Sequence, residues 1–171
     1  MSFDAFLKLD GIDGESQDAF HKDEIEILSF SWGEKPLQFV NKSGAGSGRV
    51  ALDPRSLNFS FVKQVDKASP LLMLRACEGN SIKQGTLTCR KAGGTQALTS
   101  AAGVGGEVDF LKVVLSDIFI TDIVQGGVGA NDAAPMDQVS LSFQKFEITV
   151  MPTGGGDNVV GSCSAAGARG F

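Results

Sequence analysis

Strand-like segments whose apolar residues change sides partway along are the feature that most restricts the fold of this chain. In EIEILSFSWG, Ile25 and Ile27 lie on one face of an extended chain, because successive side chains point to opposite sides. Leu28, Phe30 and Trp32 then occupy the other face. A sheet with one face in water alternates apolar and polar residues throughout. The second apolar face of this segment must therefore be buried against other apolar groups.

The same change of side recurs later in the chain. The segment VSLSFQKFEITV places Val139, Leu141 and Phe143 on one face and then Phe146, Ile148 and Val150 on the other. The runs VVL and IFI within 113–123 are also apolar on both faces. A β-bulge or a barrel corner can turn a strand over within a single core. Three such segments in a small domain instead favour a second buried surface, covered by another subunit.

Short β-type segments between glycine-rich turns indicate a mainly β fold, either a sandwich or a barrel. Glycine supplies 22 of the 171 residues, well above its average share of about 7%. The predicted strands are Phe3–Leu9, Glu24–Trp32, Leu37–Asn41, Arg49–Leu52, Leu57–Gln64, Ile82–Lys91, Glu107–Leu115, Ser116–Val124 and Gln138–Val150.

A single helix is predicted at about residues 69–78, within ASPLLMLRACEG. Ser69 is the expected N-cap, Pro70 suits the first helical position because its missing N–H costs nothing there, and Gly79 ends the helix. The residues expected to be buried are Leu71, Leu72, Leu74 and Cys77, whereas Arg75 and Glu78 are expected to stay in water.

The length of the chain suits one domain, predicted over residues 1–152, followed by a glycine-rich tail at 153–171. No apolar run approaches the ~18 residues of a membrane span, so membrane insertion is not expected. The net charge of −5 without a basic cluster argues against a nucleic-acid partner. The N-terminus has no basic region followed by a long apolar core, so we expect no signal peptide.

Candidate chemical groups are few. His21 is the only histidine, and no GxSxG motif accompanies it, so we expect a surface or turn-stabilising role and no catalytic residue. Cys77, Cys89 and Cys163 are odd in number and contain no CxxC pair, which indicates reduced thiols rather than a disulfide framework or a zinc site. The run LDGIDGES resembles a calcium loop only loosely, so no metal or cofactor is predicted.

Three loops are predicted from their composition: Lys42–Gly48, Ala92–Gly106 and Gln125–Pro135. Loops of this length in compact domains are usually functional or disordered.

Four blocks carry a resemblance to a known family. HKDEIEILSFSWG, together with the opening FDAFLKLDGIDGES, resembles the haemolysin-coregulated protein (Hcp) family, the tube subunit of the bacterial type VI secretion system. DKASPLLMLRACEGNSIKQGTLTCRKAGG, at Asp66–Gly94, is similar to the family's helix-then-strand region. PMDQVSLSFQKFEITVMP, at Pro135–Pro152, resembles its closing strand. Together these blocks cover roughly half of the chain.

The resemblance implies a single-domain β-barrel of two packed antiparallel sheets with one flanking helix. It also implies a structural protein without enzymatic activity, whose homohexameric rings stack into a hollow tube that a contractile sheath expels. The implied partners are further copies of the chain and the sheath, spike and effector proteins. The implied location is the bacterial cytoplasm before firing and then the extracellular space or a target cell.

The resemblance also suggests site residues. The loop from Glu34 to Arg49 corresponds to a protruding loop used in ring stacking, so Leu37, Phe39 and Val40 are candidate contacts with the next ring. Trp32 is a candidate interface residue whose replacement by a charged residue is expected to weaken assembly while leaving the fold largely intact. The helix at Pro70–Cys77 resembles an element facing the lumen, which makes Arg75 and Glu78 candidates for the channel wall. Two regions depart from the family: Ala92–Gly106 is longer than expected, and the tail GSCSAAGARGF lacks a Trp-Asp pattern.

Two alternatives stay open at this point. One is a phage-like tail-tube protein, which would also form rings. The other is a small β-barrel enzyme or ligand-binding protein, with a pocket lined by the loops after Gly11 and Gly126 and dependent on Asp13 or His21.

Overall fold

The computed structural model describes residues 3–34, 57–91, 108–127, 129, 134–152 and 156–164. Within these ranges the chain forms nine strands and one helix. In chain order they are β1 (Phe3–Leu9), β2 (Ile25–Ile27), β3 (Ser29–Glu34), β4 (Leu57–Gln64), α1 (Ala68–Glu78), β5 (Ile82–Lys91), β6 (Val108–Gly126), β7 (Met136–Ser142), β8 (Lys145–Val150) and β9 (Val159–Ser164).

All pairings between these strands are antiparallel, and they form two sheets that share β6. The first sheet has the order β2-β1-β5-β6-β8-β9, and the second has the order β6-β7-β4-β3. One core of apolar side chains from both sheets lies between them. Among the described strands the sheets do not close into a complete barrel, so β2 and β9 remain as the edges of the first sheet, and β3 and the second part of β6 as those of the second. The predicted mainly β fold of two packed antiparallel sheets with one flanking helix is confirmed.

The strand β6 spans 19 residues and passes from one sheet to the other. Its first part pairs with β5 and β8, and its second part pairs with β7. Val113 and Leu115 point into the core before the crossing and Ile118 points into it afterwards, although the odd-even alternation would place Ile118 outside. Asp117 absorbs this change, because its positive φ of 54° rotates the backbone between the two halves. The sequence had predicted two separate strands here.

The change of side in EIEILSFSWG is a corner between the two sheets. Ile25 and Ile27 are buried within the first sheet. The chain bends at Leu28, whose N–H donates to the Val62 carbonyl (2.9 Å) and whose side chain is 55% exposed. Phe30 and Trp32 then pack against the same core from the second sheet. A corner between the two sheets therefore explains how Phe30 and Trp32 pack within this chain, and coverage of the exposed part of this segment by a second subunit stays a prediction.

The segment VSLSFQKFEITV turns over in the same way. Val139 and Leu141 are buried on β7, and Phe143 is buried at the bend. The Gln144 N–H donates to the Ser116 carbonyl (3.1 Å), beside the point where β6 itself crosses. Phe146 and Ile148 on β8 then pack on the common core from the first sheet. The tertiary fold thus accounts for the second recurrence as well.

The helix begins earlier than predicted, and Ser69 is not its N-cap. Lys67 occupies the cap position and makes no side-chain cap hydrogen bond, while the Asp66 carboxylate accepts the Ala68 N–H (2.8 Å). Ser69 lies inside the first turn, where its hydroxyl accepts the Asp66 N–H (3.1 Å). The predicted end is confirmed, because Gly79 adopts a left-handed conformation with φ of 67°.

Only a narrow line of α1 contacts the rest of the protein. Ala68, Ser69 and Leu72 are its buried residues. Leu71, Leu74 and Cys77 are exposed, so their predicted burial is wrong. The helix packs on the barrel through its first turns, which leaves an apolar outer side in water.

The strand β9 was not predicted. It pairs with β8 over its whole length and lies within the region expected to form a tail. Its side chains are exposed on both faces, so its sequence carries no alternation. Other predictions concern residues outside the described ranges: strands at Leu37–Asn41 and Arg49–Leu52, and loops at Lys42–Gly48 and Ala92–Gly106. In the described part of the chain no helix has the length and apolar character needed to cross a membrane.

Candidate functional site

A cluster of charged groups surrounds the fully buried Lys63, and we call it the inner cluster. The Lys63 ammonium donates to the Ser69 hydroxyl (2.9 Å) and to the Gln64 carbonyl (2.7 Å). It also forms ion pairs with Asp66 (2.7 Å) and Asp137 (3.2 Å). Lys63 is 0% exposed and Asp137 is 1% exposed, so both charges depend on these partners rather than on water.

The inner cluster holds Asp137 in its ionised form. Burial alone would raise the pKa of Asp137, but hydrogen bonds from Ser69, Gln125 and Lys63 lower it below the ordinary value. The Gln125 amide donates to the second carboxylate oxygen (2.9 Å). The cluster therefore ties β4, β6, β7 and the first turn of α1 together at one end of the core. Because the charged groups of Lys63 and Asp137 already have partners within the protein, the cluster fits a structural role.

A second charge cluster lies at the rim of the first sheet, around Arg90, and we call it the rim cluster. The guanidinium donates to Asp109 (3.0 Å) and to Asp18 (2.9 Å). Its Cζ atom lies 5.9 Å from the Phe6 ring centre and 5.2 Å from that of Phe20. Arg90 thus anchors the loop that carries Asp18 to the sheet by charge and by ring contact.

The carboxylate of Asp18 organises this loop. Burial alone would raise its pKa, but hydrogen bonds from the N–H groups of Phe20 and His21 and from Arg90 lower it. For Arg90, burial alone would lower the pKa, and the two carboxylates, Asp109 and Asp18, raise it. Both groups are therefore held in their charged forms.

The structure places His21 in the rim cluster, where it is buried, so of the two expected roles the surface position is wrong. Its Nδ1 lies 2.9 Å from a Glu24 carboxylate oxygen and its Nε2 lies 3.6 Å from Asp109. The imidazole stacks on the Phe6 ring with 4.5 Å between ring centres. The neighbours of His21 are thus carboxylates and an aromatic ring, which suits a residue that anchors a loop.

The three cysteines are free. Cys77 and Cys163 are exposed, whereas Cys89 is buried on β5. Burial and the nearby Asp109 charge raise the pKa of the Cys89 thiol to about 11, so this thiol stays protonated and unreactive at neutral pH. Within the described ranges, no group of three or more histidine, cysteine or carboxylate side chains could hold a metal ion.

Three of the interface and lumen residues predicted from the sequence, Trp32, Arg75 and Glu78, lie within the described ranges, and they belong to neither cluster. Trp32 is half-buried on β3 and meets Phe146 edge-on, with 5.2 Å between ring centres. Arg75 is half-buried near the end of α1, and Glu78 is exposed and accepts a hydrogen bond from Asn80 (2.7 Å). Leu37, Phe39 and Val40 lie outside the described residues. Trp32 thus contributes to the core of its own chain, and the interface and lumen roles stay predictions.

A pocket of about 260 Å³ opens at the corner between β2 and β3. Its lining residues are Glu15, Ser16, Glu26, Leu28, Gln64, Val65 and Asp66. The loop after Gly11 contributes to it, as expected for a barrel-end pocket. His21 and Asp13 do not line it, and neither do the described residues after Gly126.

The edge strand β9 carries an exposed apolar surface. Val159 is 66% exposed and Val160 is 58% exposed, although their side chains point to opposite faces of the sheet. An edge strand of this kind also presents unpaired backbone N–H and C=O groups, which can pair with another chain. No charged residue or proline within Val159–Ser164 blocks such pairing.

Two antiparallel sheets packed on one core, with one flanking helix, define the class of this protein as a mainly β fold. A family model described as "Type VI secretion system effector, Hcp" matches residues 6–150. The chain therefore belongs to the Hcp family of the type VI secretion system. This is a family of secreted structural proteins and not of enzymes.

Individual relatives agree with this assignment. Protein hcp1 of Pseudomonas aeruginosa is 31% identical over 152 residues, which cover 89% of this chain and 85% of that protein. The crystal structure of Hcp1 from Salmonella typhimurium superposes with a TM-score of 0.74 at 28% identity, covering 98% of this chain and 97% of that one. Hcp2 from Salmonella typhimurium gives a TM-score of 0.68 at 29% identity, covering 95% and 96%.

Proposed function

We propose that this chain is the tube subunit of a type VI secretion system. Homohexameric rings of the chain stack into a hollow tube, which a contractile sheath expels and which can carry effectors in its lumen. The membership of the family over residues 6–150 is the observation that carries this proposal. The chain works from the bacterial cytoplasm, and the system delivers it to the extracellular space or a target cell.

The open sheet edges support assembly into a ring. β2 and β9 end the first sheet, and β3 and the second part of β6 end the second, so each copy offers four strand edges that lack a neighbour on one side among the described residues. A closed ring removes such edges by pairing or covering them. Burial of Val159 and Val160 would add about 25 cal/mol for each Å² of apolar surface removed from water.

Other surfaces are assigned from the family. Leu37, Phe39 and Val40 would contact the next ring, and Arg75 and Glu78 would face the lumen. Trp32 would stand near a subunit boundary, although its ring already packs against Phe146 within its own chain. The sheath, spike and effector proteins are the proposed partners.

The test is the native mass of dilute protein by analytical ultracentrifugation under reducing conditions, followed by negative-stain images of the same sample. We expect a species of six chains with an open centre. The double variant Val159→Lys/Val160→Lys should shift the mass toward the monomer with an unchanged melting temperature, because both side chains are exposed within the single chain.

Trp32→Lys serves as the contrasting variant. It should weaken the ring and also lower the melting temperature, because it removes the contact with Phe146. A wild type that stays monomeric at the highest concentration measured, or rings unaffected by both variants, would contradict the proposal.

A further inference from the structure

The loop at residues 13–24 covers part of the outer face of the first sheet. Phe6 on β1 and Arg90 on β5 lie on this outer face, because the residues next to them along each strand point into the core. Both side chains are nevertheless buried, since the loop packs over them. The buried ring of His21 lies flat on the Phe6 ring, with 7° between the two planes. His21 therefore lies between the loop and the sheet that the loop covers.

Each ring nitrogen of His21 faces one carboxylate. Nδ1 lies 2.9 Å from Glu24, whereas Nε2 lies 3.6 Å from Asp109, which is too far for a hydrogen bond. Nε2 is buried and has no hydrogen-bond partner among the described residues. A neutral imidazole carries a single N–H, so in either tautomer one bare lone pair is left beside a carboxylate. Such a contact is unfavourable in a buried site.

A second proton on the imidazole removes this conflict. The imidazolium has an N–H on each nitrogen, so it can donate to Glu24 and to Asp109 at the same time. A shift of about 0.4 Å would bring Nε2 within the usual N–H···O distance of up to about 3.2 Å from Asp109. Glu24 belongs to the loop and Asp109 to β6, so the proton would join the loop to the sheet.

The charges around His21 favour this second proton. Asp18 and Glu24 on the loop and Asp109 on β6 are negative, and Arg90 on β5 is the opposing cation. Arg90 lies between Asp18 and Asp109, so the carboxylates outnumber the guanidinium among these described groups. The remaining charged residues on the loop beside His21 and on the sheet face around Phe6 offset each other, being three bases and three acids: Lys8, Lys22, Lys112, Asp4, Asp23 and Glu26.

We infer that His21 is a proton-binding site that fastens the loop 13–24 to the first sheet, so that the loop is held more tightly as the pH falls from about 7.5 to about 5.5. The added stability of the loop is present on the acid side and is lost as the pH rises, because the second proton is what joins Glu24, His21 and Asp109. The site lies within a single chain, so the inference holds whether or not rings form.

The test is amide hydrogen exchange of the intact protein at about pH 5.5 and about pH 7.5, followed by mass spectrometry. Each rate is divided by the rate of an unstructured peptide at the same pH, which gives a protection factor. The N–H groups of Gly14, Ser16 and Asp23 report on the loop, because they form its backbone hydrogen bonds. We expect their peptides to be about threefold or more better protected at the lower pH. Peptides from β4 serve as the reference and should not differ.

Two variants assign the effect to the proton on His21. His21→Gln keeps a hydrogen-bond donor but cannot titrate in this range, so it should remove the pH dependence of loop protection. Asp109→Asn keeps the imidazole but removes the negative partner of Nε2, so it should reduce the dependence. Asp122→Asn makes the same change at an exposed position of β6 and is the matched control, which should behave as wild type. Asp109→Asn keeps the test decisive if His21→Gln loosens the loop at both pH values.

The outcomes separate a proton-binding site from a merely structural residue. Exchange of the Cε1 hydrogen of His21, the only histidine, shows whether the ring gains a proton in this pH range. Equal protection of the loop at the two pH values in wild type would overturn the inference. A pH dependence that persists in His21→Gln would also overturn it, because another group would then be the cause. So would equal effects of Asp109→Asn and Asp122→Asn.

Discussion

The inner cluster and the rim cluster use similar residues in different surroundings. Lys63 and Asp137 are sealed from water, and every polar atom around them is satisfied by another group of the protein. Arg90 is buried, but its partners Asp18 and Asp109 reach the surface. The first cluster holds secondary structure elements together, whereas the second holds a loop on a sheet. Depth, rather than the number of ion pairs, should therefore decide how much each cluster contributes to stability.

The largest effect should come from breaking the inner cluster. Lys63→Met removes the ammonium and leaves the Asp137 and Asp66 carboxylates without their cation, at a cost of about 3–5 kcal/mol in the free energy of unfolding. Urea denaturation followed by circular dichroism measures this. Lys83→Met, at an exposed position of β5, should change the same quantity by less than about 0.5 kcal/mol. If Lys63→Met lowered the free energy of unfolding by less than about 1 kcal/mol, the depth of burial would not decide how much each cluster contributes to stability.

Arg90→Lys should have an intermediate effect. Lysine keeps the charge but cannot bridge Asp18 and Asp109 as the guanidinium does, and we expect a loss of about 1–2 kcal/mol. The same urea titration applies, and Lys91→Arg on the neighbouring position is a control for the general effect of exchanging these residue types. If Arg90→Lys lowered the free energy of unfolding as much as Lys63→Met does, the rim cluster would be as well shielded from water as the inner cluster.

The acid dependence of stability should distinguish the clusters further. The pKa of Asp137 is lower in the folded protein than its ordinary value near 4, so the unfolded chain binds a proton first as the pH falls. Its contribution is therefore present at neutral pH and disappears as the pH falls through the folded pKa. We expect Asp137→Asn to be less stable than wild type at pH 7 and to lose less stability between pH 5 and pH 3.

Asp18→Asn should show the same sign, because hydrogen bonds also lower the pKa of Asp18. Urea midpoints at several pH values measure both dependences. If neither variant changes how the urea midpoint falls with pH on the acid side, other carboxylates cause the loss of stability in acid.

The smallest effect should come from Phe20, whose side chain is 83% exposed. Phe20→Ala removes the ring above Arg90 and should cost about 0.5–1 kcal/mol in the free energy of unfolding. Phe20→Leu keeps apolar contact but removes the ring face, so it tests whether the guanidinium contact matters. If both variants match wild type, Asp18 and Asp109 alone hold Arg90 in place.

The fold was largely predictable from the sequence, because patterns of residues that are close together in the chain determine the strands and the end of the helix. β1, β4 and β5 agree with the predicted bounds, and the end of the helix at Gly79 follows from glycine's tolerance of a left-handed conformation. The burial of α1 was not predictable from its apolar residues. Leu71 and Leu74 fit an amphipathic pattern, yet the helix contacts the barrel along a line that only its docking angle determines.

The contacts in the inner cluster and the rim cluster were harder to predict from the sequence. Lys63 and Asp137 stand 74 positions apart, and nothing in either segment marks them as partners. A lysine and an aspartate in strands are ordinary surface residues until the fold places both inside. The absence of a nucleophile motif led us to expect no catalytic role for His21, and its ring contact with Phe6 depends on the loop's return to β1, which the sequence does not show.

The sequence by itself determined the β character, the strand periods and the family, because these depend on neighbours along the chain. Only the tertiary structure decided what covers the second face of EIEILSFSWG. The sequence shows that the apolar side changes at Leu28, but a bend between two sheets and a contact with another subunit produce the same pattern. The bend is a relation between distant strands, since β2 pairs with β1 while β3 pairs with β4, and packing both sheets on one core selects it.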